Sequence, residues 1–145
     1  MDRIVVGVDG SAASKAALAW AIDEARRRGD SIVEVVHSWD PPVLVGSPVG
    51  DVPPVSLEGP YDEAAHALVE RAVAAVDITG VEVEKVVLEG PAGSNLCDRS
   101  AGAVLLVVGS SRHSALMDAL TGSVSRYCTH HAQSPVIVVP RPHDH

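Results

Sequence analysis

Residues 103–139 read AVLLVVGSSRHSALMDALTGSVSRYCTHHAQSPVIVV. The segment begins with an apolar run, residues 104–108, which is too short for a helix and ends at Gly109, a pattern typical of a strand buried on both faces. A Gly/Ser loop follows, and a helix is predicted from Gly122 to about His131. A helix N-terminus after a strand and a loop collects unpaired backbone N–H groups, which attract anions. The segment therefore predicts an anion site, with phosphate as the obvious candidate.

The rest of the chain repeats this alternation of short apolar runs and helical periodicity. Together with the segment above, the pattern predicts strands over residues 4–8, 31–37, 81–88, 104–108 and 136–139, and helices over about 11–28, 61–76, 95–101 and 122–131. Glu82 and Glu84 alternate with valines in the third strand, which favours a position near a sheet edge. Five strands separated by helices predict an α/β domain with a parallel sheet.

Two segments fall outside this pattern. Residues 41–60 hold six of the ten prolines and are predicted to form a long irregular loop, which in compact domains is commonly a lid, a binding loop or a disordered excursion. Residues 141–145 follow the last strand and are predicted to be a frayed C-terminal tail. We therefore expect one domain over residues 1–140.

The composition excludes several classes of partner. Lys and Arg total 11 against 19 acidic residues, and the net charge of −8 opposes binding to nucleic acid or to an anionic membrane. The N-terminus lacks the pattern of a signal peptide, and no apolar stretch approaches the ~18 residues of a membrane span, so we expect a cytoplasmic protein. Cys97 and Cys128 are predicted to be small buried helix residues and not a disulfide framework.

Several of these residues resemble the universal stress protein family. Its nucleotide-binding members carry a glycine, two residues, a second glycine, nine residues and then Gly-Ser or Gly-Thr, followed by a short valine-rich strand. Gly109, Gly122 and Ser123 stand at this spacing, whereas Arg112 occupies the place of the second glycine. The opening IVVGVDGS, residues 4–11, also resembles the first strand and turn of the family, so that the resemblance covers nearly the whole chain.

The resemblance implies a Rossmann-like open sheet with strand order 3-2-1-4-5 and helices on both faces. It also implies binding of an adenine nucleotide, ATP with Mg²⁺, and a homodimer formed through the C-terminal strand. In such a sheet, ligands bind beyond the carboxyl ends of the strands where the order reverses. Asp9, after the first strand, would then face Gly109 at the end of the fourth.

The binding residues that the resemblance implies are Asp9, Ser38, Val108, Gly109, Arg112, Gly122, Ser123, Val124 and Ser125. Ser38 and Val108 match positions of the adenine pocket, Asp9 matches a carboxylate near the ribose and the phosphate-bound metal, and the serines of the last helix match phosphate-binding hydroxyls. From the residues alone, other roles stay open: the glycines can punctuate strand and helix ends, and Asp9 or Ser11 can cap the first helix. Arg112 can either fill the phosphate space or clamp the phosphates.

No catalytic set stands out in the sequence. There is no Walker lysine and no recognisable nucleophile elbow, and His130 and His131 point about 100° apart on a helix, which disfavours a shared metal. The first hypothesis is an ATP-binding stress-response regulator or switch. The alternatives are a dimeric interaction protein of the same fold that has lost ATP binding and, less favoured, a protein that hydrolyses ATP slowly.

Overall fold

A computed structural model describes residues 1–40, 60–110 and 123–142 of the chain. Its elements, in chain order, are β1 (Asp2–Gly7), α1 (Ala12–Arg28), β2 (Ser31–Trp39), α2 (Pro60–Ala74), β3 (Glu82–Glu89), α3 (Ala92–Ser100), β4 (Leu105–Ser110), α4 (Ser123–His131) and β5 (Val136–Pro140). Three sets of predicted residues lie outside the described residues: residues 41–59 of the loop predicted over residues 41–60, the site residues Arg112 and Gly122, and the last three residues of the tail. Pro60, the last residue of the predicted loop, is instead the first residue of α2.

The strands form one parallel sheet in the order β3-β2-β1-β4-β5, which confirms the predicted fold and strand order. Ile4 of β1 pairs with Val33 of β2 on one side and with Leu105 of β4 on the other. The prediction of an edge position for the third strand is confirmed as well. Because the order reverses between β1 and β4, the helices that come after these two strands, α1 and α4, pack on opposite faces of the sheet, and a crevice is expected beyond the carboxyl ends of the two strands.

Two apolar layers cover the two faces of the sheet. Along β1, Ile4 and Val6 pack with α1 and α2, whereas Val5 faces α3 and α4 on the other side. All three side chains are fully buried. Continuous apolar runs such as β1 and β4 are therefore explained by burial on both faces, each valine or isoleucine contributing about 1.5–3 kcal/mol when removed from water.

A buried carboxylate interrupts the apolar run of β2. Glu34 is only 2% exposed, and its two carboxylate oxygens face Arg99 Nε and Arg3 Nη1 at 2.5 and 3.5 Å. Arg3 also donates hydrogen bonds of 2.7 Å to the carbonyl oxygens of Arg99 and Ala101. The group ties β1, β2 and the C-terminal end of α3 together at the amino side of the sheet. It satisfies a charge that would otherwise be costly to bury.

The third helix begins earlier than the sequence predicts. It starts at Ala92 and not at residue 95, because Pro91 has a φ of −64° and its carbonyl oxygen accepts the hydrogen bond from Asn95 N at 3.0 Å. Gly93, which reads as a helix breaker in the sequence, lets α4 approach: a Cβ there would lie 2.8 Å from Cδ1 of Tyr127. Within the described ranges, no helix is both long and apolar enough to span a membrane.

Candidate functional site

A cleft of about 190 Å³ opens at the carboxyl side of the sheet, where β1 and β4 diverge. Its lining includes seven residues that the sequence analysis singled out: Asp9, Ser38, Val108, Gly109, Ser123, Val124 and Ser125. Strands β1, β2 and β4, the turn between β1 and α1, and the N-terminal parts of α1, α3 and α4 supply these and the remaining lining residues. The structure thus brings the described predicted residues together around one space.

Part of the cleft lining is apolar. Val36 of β2, Leu96 of α3 and Val108 of β4 are 1%, 3% and 2% exposed, and all three line the cleft. Gly7 makes room for Leu96, since a Cβ on this glycine would lie 2.8 Å from Leu96 Cδ1. Sequence reasoning did not assign Gly7, Val36 or Leu96 to the site. The signal for Val36 was its position two residues before Ser38 on the same strand, which places both side chains on one face.

The remaining part of the lining comes from helix N-termini. Ser11 is the N-cap of α1, and its Oγ accepts a hydrogen bond from Ser14 N at 3.1 Å. Ser123, Val124 and Ser125 form the first turn of α4; Ser123 is exposed and Ser125 is only 1% exposed. Neither helix has an acidic residue in its first turn, and the same holds for α3. The positive ends of three helix dipoles therefore meet at the cleft, which favours an anion.

Asp9 stands in the turn between β1 and α1. Its Oδ1 accepts a hydrogen bond from Ser11 N at 2.9 Å, while its backbone N donates to Ser14 Oγ at 3.2 Å. Of the two caps that the sequence left open, the structure selects Ser11, and Asp9 instead closes the turn in front of it. Gly10, between them, has a φ of +85°, a conformation that only glycine adopts readily.

Two opposing effects act on the Asp9 carboxyl. Partial burial by the surrounding protein raises its pKa, but hydrogen bonds from Ser11 and Ser14 and the nearby His37 together lower the pKa below the usual value of an aspartate. The His37 ring is held in place because its Nδ1 lies 2.8 Å from the carbonyl oxygen of Val8, which can only accept a hydrogen bond. Asp9 is therefore ionised at neutral pH, at the rim of an otherwise electropositive pocket.

Gly109 has a structural role besides the two that the sequence suggested, which were nucleotide binding and the end of a strand. A Cβ at this position would lie 2.5 Å from the carbonyl carbon of Ala13, 2.6 Å from its oxygen and 2.8 Å from Ser14 N. The first turn of α1 thus packs directly on the backbone of β4. Gly109 lines the cleft as well, so the glycine serves the packing of the helix and the shape of the pocket together.

Ser38, which lines the cleft, belongs to a hydrogen-bond network with the start of α3. Its Oγ donates to the carbonyl oxygen of Gly90 at 2.8 Å and lies 2.7 Å from Asn95 Nδ2. Asn95 Nδ2 also donates to the carbonyl oxygen of Glu89 at 3.1 Å. Asn95 was not predicted as a site residue, because a single polar residue on a short helix gives no periodic signal and its partner is distant in the sequence.

The described residues offer no set of metal ligands. No group of three or more His, Cys, Asp or Glu side chains that could hold an ion occurs among them. His130 and His131 are exposed in the last turn of α4, where the His131 ring stacks on Tyr127 with a centroid distance of 4.2 Å. Among the described residues that line the cleft, Asp9 is the one with a carboxylate that could contact a cation.

Comparison with known sequences agrees with the family resemblance of the sequence motifs. The sequence profile of the Universal stress protein family matches residues 1–140. The universal stress protein Rv2005c of Mycobacterium tuberculosis (strain ATCC 25618 / H37Rv) is 37% identical over 136 residues, which are 93% of this chain and 44% of that protein. The chain therefore spans less than half the length of this relative.

Solved structures show the same fold. The universal stress protein from Archaeoglobus fulgidus in complex with dAMP is 28% identical, with a TM-score of 0.67 over 96% of this chain and 98% of that chain. A family member from Arabidopsis thaliana with AMP bound is 22% identical, with a TM-score of 0.66 over 98% of this chain and 93% of that one, and at this identity the likeness shows the fold alone. From its sequence profile, its relatives and its fold, the chain belongs to the universal stress protein family.

Proposed function

We propose that this chain binds an adenine nucleotide, ATP with Mg²⁺, in the cleft beyond the carboxyl ends of β1 and β4 and acts as a stress-response regulator or switch. The observation that carries the proposal is the mixed lining of the cleft, which combines the apolar side chains of Val36, Leu96 and Val108 with the electropositive starts of α1, α3 and α4. The complex of the Archaeoglobus fulgidus relative with dAMP supports an adenine nucleotide as the ligand. We also propose a cytoplasmic location.

We place one nucleotide across the carboxyl side of β2, β1 and β4. The cleft extends from Ser38 on β2 across β1 to Gly109 on β4, which are separated by two strand spacings of about 4.8 Å each. We place the purine ring against the apolar side chains of the lining and the phosphates at the first turn of α4. The Asp9 carboxylate lies on this path, where Mg²⁺ would supply the positive charge that lets a carboxylate and phosphates share the site.

The chemistry of the lining favours binding over catalysis. Among the described residues that line the cleft, Asp9 is the one whose side chain titrates in the ordinary pH range. A regulator needs a ligand-dependent state and not a nucleophile with its base. This is the reason that we place slow hydrolysis of ATP behind the regulatory role.

We further propose a homodimer formed through β5. Leu106 N donates to the carbonyl oxygen of Pro135 at 2.9 Å, and Leu106 pairs with Val136. In a parallel ladder this register directs the N–H groups of Ile137 and Val139 toward β4, so the N–H and C=O groups of Val136 and Val138 face the open edge. An apolar edge of this kind is a template for pairing with a second copy.

Titration calorimetry with AMP, with ATP and with ATP plus Mg²⁺ tests the proposed ligand. The informative variant is Ser123→Asp, which places a carboxylate at the exposed start of α4; the control is Thr129→Asp, an exposed residue near the other end of the same helix. We expect Ser123→Asp to weaken ATP at least about tenfold, since each 1.4 kcal/mol of repulsion is a factor of ten. Adenosine, which has no phosphate, should be little affected.

Two results would contradict the proposal. If neither AMP nor ATP gives heat at millimolar concentration, the chain does not bind adenine nucleotides, and the interaction-protein alternative takes its place. If Ser123→Asp and Thr129→Asp weaken ATP equally, the phosphates do not lie at the start of α4. Circular dichroism of both variants verifies that the helix remains folded.

A further inference from the structure

A second cavity, the α1/α2 cavity, lies on the other face of the sheet from α3 and α4. Its volume is about 460 Å³, and its walls come from the turn after β1, the first turns of α1 and the C-terminal half of α2. The cleft described above takes Leu96 from α3, whereas this cavity takes Leu68 from α2. The turn after β1 separates the two spaces, because both are lined by Val8, Ser11 and Ser14.

Two cations lie on opposite walls of the α1/α2 cavity. The two helices come together at its mouth, where a Cβ on Gly10 would lie 3.5 Å from Leu68 Cδ1. Lys15 stands four residues after Ser11 on α1, and Arg71 stands three residues after Leu68 on α2. These spacings place each cation about one helical turn, 5.4 Å, along its helix from the contact. Both line the cavity, so their side chains share one space.

Neither cation has a counter-charge. Most of the described Lys and Arg side chains form an ion pair with a carboxylate. Within the described residues, Lys15 and Arg71 make no ion pair and no side-chain hydrogen bond. Glu70 precedes Arg71 in the sequence, but it is engaged by Lys85 Nζ at 2.7 Å. The lining of the cavity contains no Asp or Glu among the residues that the structure describes. A protein of net charge −8 therefore keeps two unpaired cations beside one space.

A third donor lies beside the two cations. Ser11 Oγ accepts a hydrogen bond from Ser14 N at 3.1 Å, and its own proton has no acceptor among the described residues. Two positive charges match a phosphate group, which carries about −1.5 to −2 at pH 7, better than a single carboxylate. The guanidinium of Arg71 presents several N–H groups in a planar fork that suits phosphate oxygens.

We propose that Lys15, Arg71 and Ser11 form a second anion site, which binds the phosphate group of a small phosphorylated molecule. The phosphate lies between the two cations and accepts the hydrogen bond of the Ser11 hydroxyl, while Leu68 and Ala72 border the rest of the molecule. The two cations do not line the nucleotide cleft, so this site does not depend on the proposed function.

The experiment titrates inorganic phosphate into the isotope-labelled full chain at constant ionic strength, with acetate as the monovalent comparison. We expect saturable NMR shifts of the α2 amides around Arg71, with a dissociation constant in the millimolar range. Lys15→Gln and Arg71→Gln should each weaken phosphate binding at least about threefold, because each removes one charge–charge attraction at an exposed site. The control is Arg27→Gln, which removes an exposed cation near the other end of α1.

The outcomes distinguish this site from the cleft. Saturable shifts confined to the first turn of α4 would place the phosphate in the cleft and overturn the second site. Equal shifts with acetate, no saturation, or equal weakening by Arg27→Gln would show a diffuse response to charge, which also overturns it. If AMP and ATP do not bind while phosphate still shifts the α2 amides, the proposed function is wrong and the second site stands.

Discussion

Replacing Gly109 by alanine should destabilise the protein far more than the same replacement at Gly7. Both glycines lie near the carboxyl ends of central strands, and a Cβ on either meets another atom within 3 Å. At Gly109 the atoms met are backbone, at 2.5, 2.6 and 2.8 Å in the first turn of α1. At Gly7 the atom met is Cδ1 at the end of the Leu96 side chain. A side chain can rotate away, whereas the helix backbone must move as a unit.

The structure sets the size of the effect. The first turn of α1 is fixed by the Ser11 cap and by the hydrogen bond of Asp9 N to Ser14 Oγ, so a shift of α1 disturbs these bonds as well. Overpacking in a rigid core costs about 1–3 kcal/mol and occasionally more. We expect at least about 3 kcal/mol for Gly109→Ala, a large fraction of a total stability of about 5–15 kcal/mol, and about 1 kcal/mol for Gly7→Ala.

Urea unfolding followed by circular dichroism measures both variants against the wild type. The midpoint should fall much further for Gly109→Ala than for Gly7→Ala, with similar dependence on urea concentration. At roughly 4 °C per kcal/mol, the melting temperature of Gly109→Ala should fall by about 10 °C or more. Equal losses in the two variants, or a loss below about 1 kcal/mol at Gly109, would refute the argument that α1 rests on the backbone of β4.

Three further outcomes are expected. Asp9→Asn should reduce stability at pH 7, and the reduction should become smaller as the pH falls below about 4 and through the lowered pKa of the folded state, because the stabilisation disappears as the carboxyl protonates. Urea unfolding over a series of pH values measures this. Burial raises the pKa of Cys97 and raises that of Cys128 to about 12, so both thiols should react with Ellman's reagent only on unfolding. Val138→Pro should abolish the proposed dimer in sedimentation, whereas Val138→Thr, which keeps the outward N–H, should not.

Much of the fold could be predicted because it depends on local patterns. The continuous apolar run of β4 indicates burial on both faces of the sheet, and this pattern identified the strand. The alternation of glutamate and valine in β3 indicates burial on one face, and it predicted a position near the sheet edge. Strand order has no such local signal, and it was predicted from the family resemblance. Helix starts were less certain: Pro91 and Gly93 read as breakers, yet Pro91 is compatible with the start of α3 and Gly93 is explained by contact with another helix.

Site residues could be predicted where a family motif identifies them. They could not be predicted where only a contact in the folded protein assigns them to the site. Asp9 and Ser38 were assigned by resemblance, and the structure places both at the cleft, although their role in binding stays a prediction. Val36 and Leu96 look like ordinary core residues until the cleft is seen. The close approach of Gly109 to Ala13 and the bond of Asn95 to Ser38 join residues far apart in the chain, and a single sequence carries no record of such pairs.

The two sides of the sheet differ in how their charges are balanced. At the amino side, Glu34 is buried with Arg3 and Arg99, and losing one partner of such a group typically costs 3–5 kcal/mol. At the carboxyl side, the described first turns of α1, α3 and α4 carry no acidic residue, so their dipoles are not neutralised by their own sequence. Asp9, which lies before the N-cap of α1, is the acidic residue among the described residues that line the cleft, and hydrogen bonds from Ser11 and Ser14 lower its pKa. A negatively charged ligand would thus balance the helix dipoles at the carboxyl side of the sheet. At the amino side, the buried Glu34 carboxylate already has its partners within the fold.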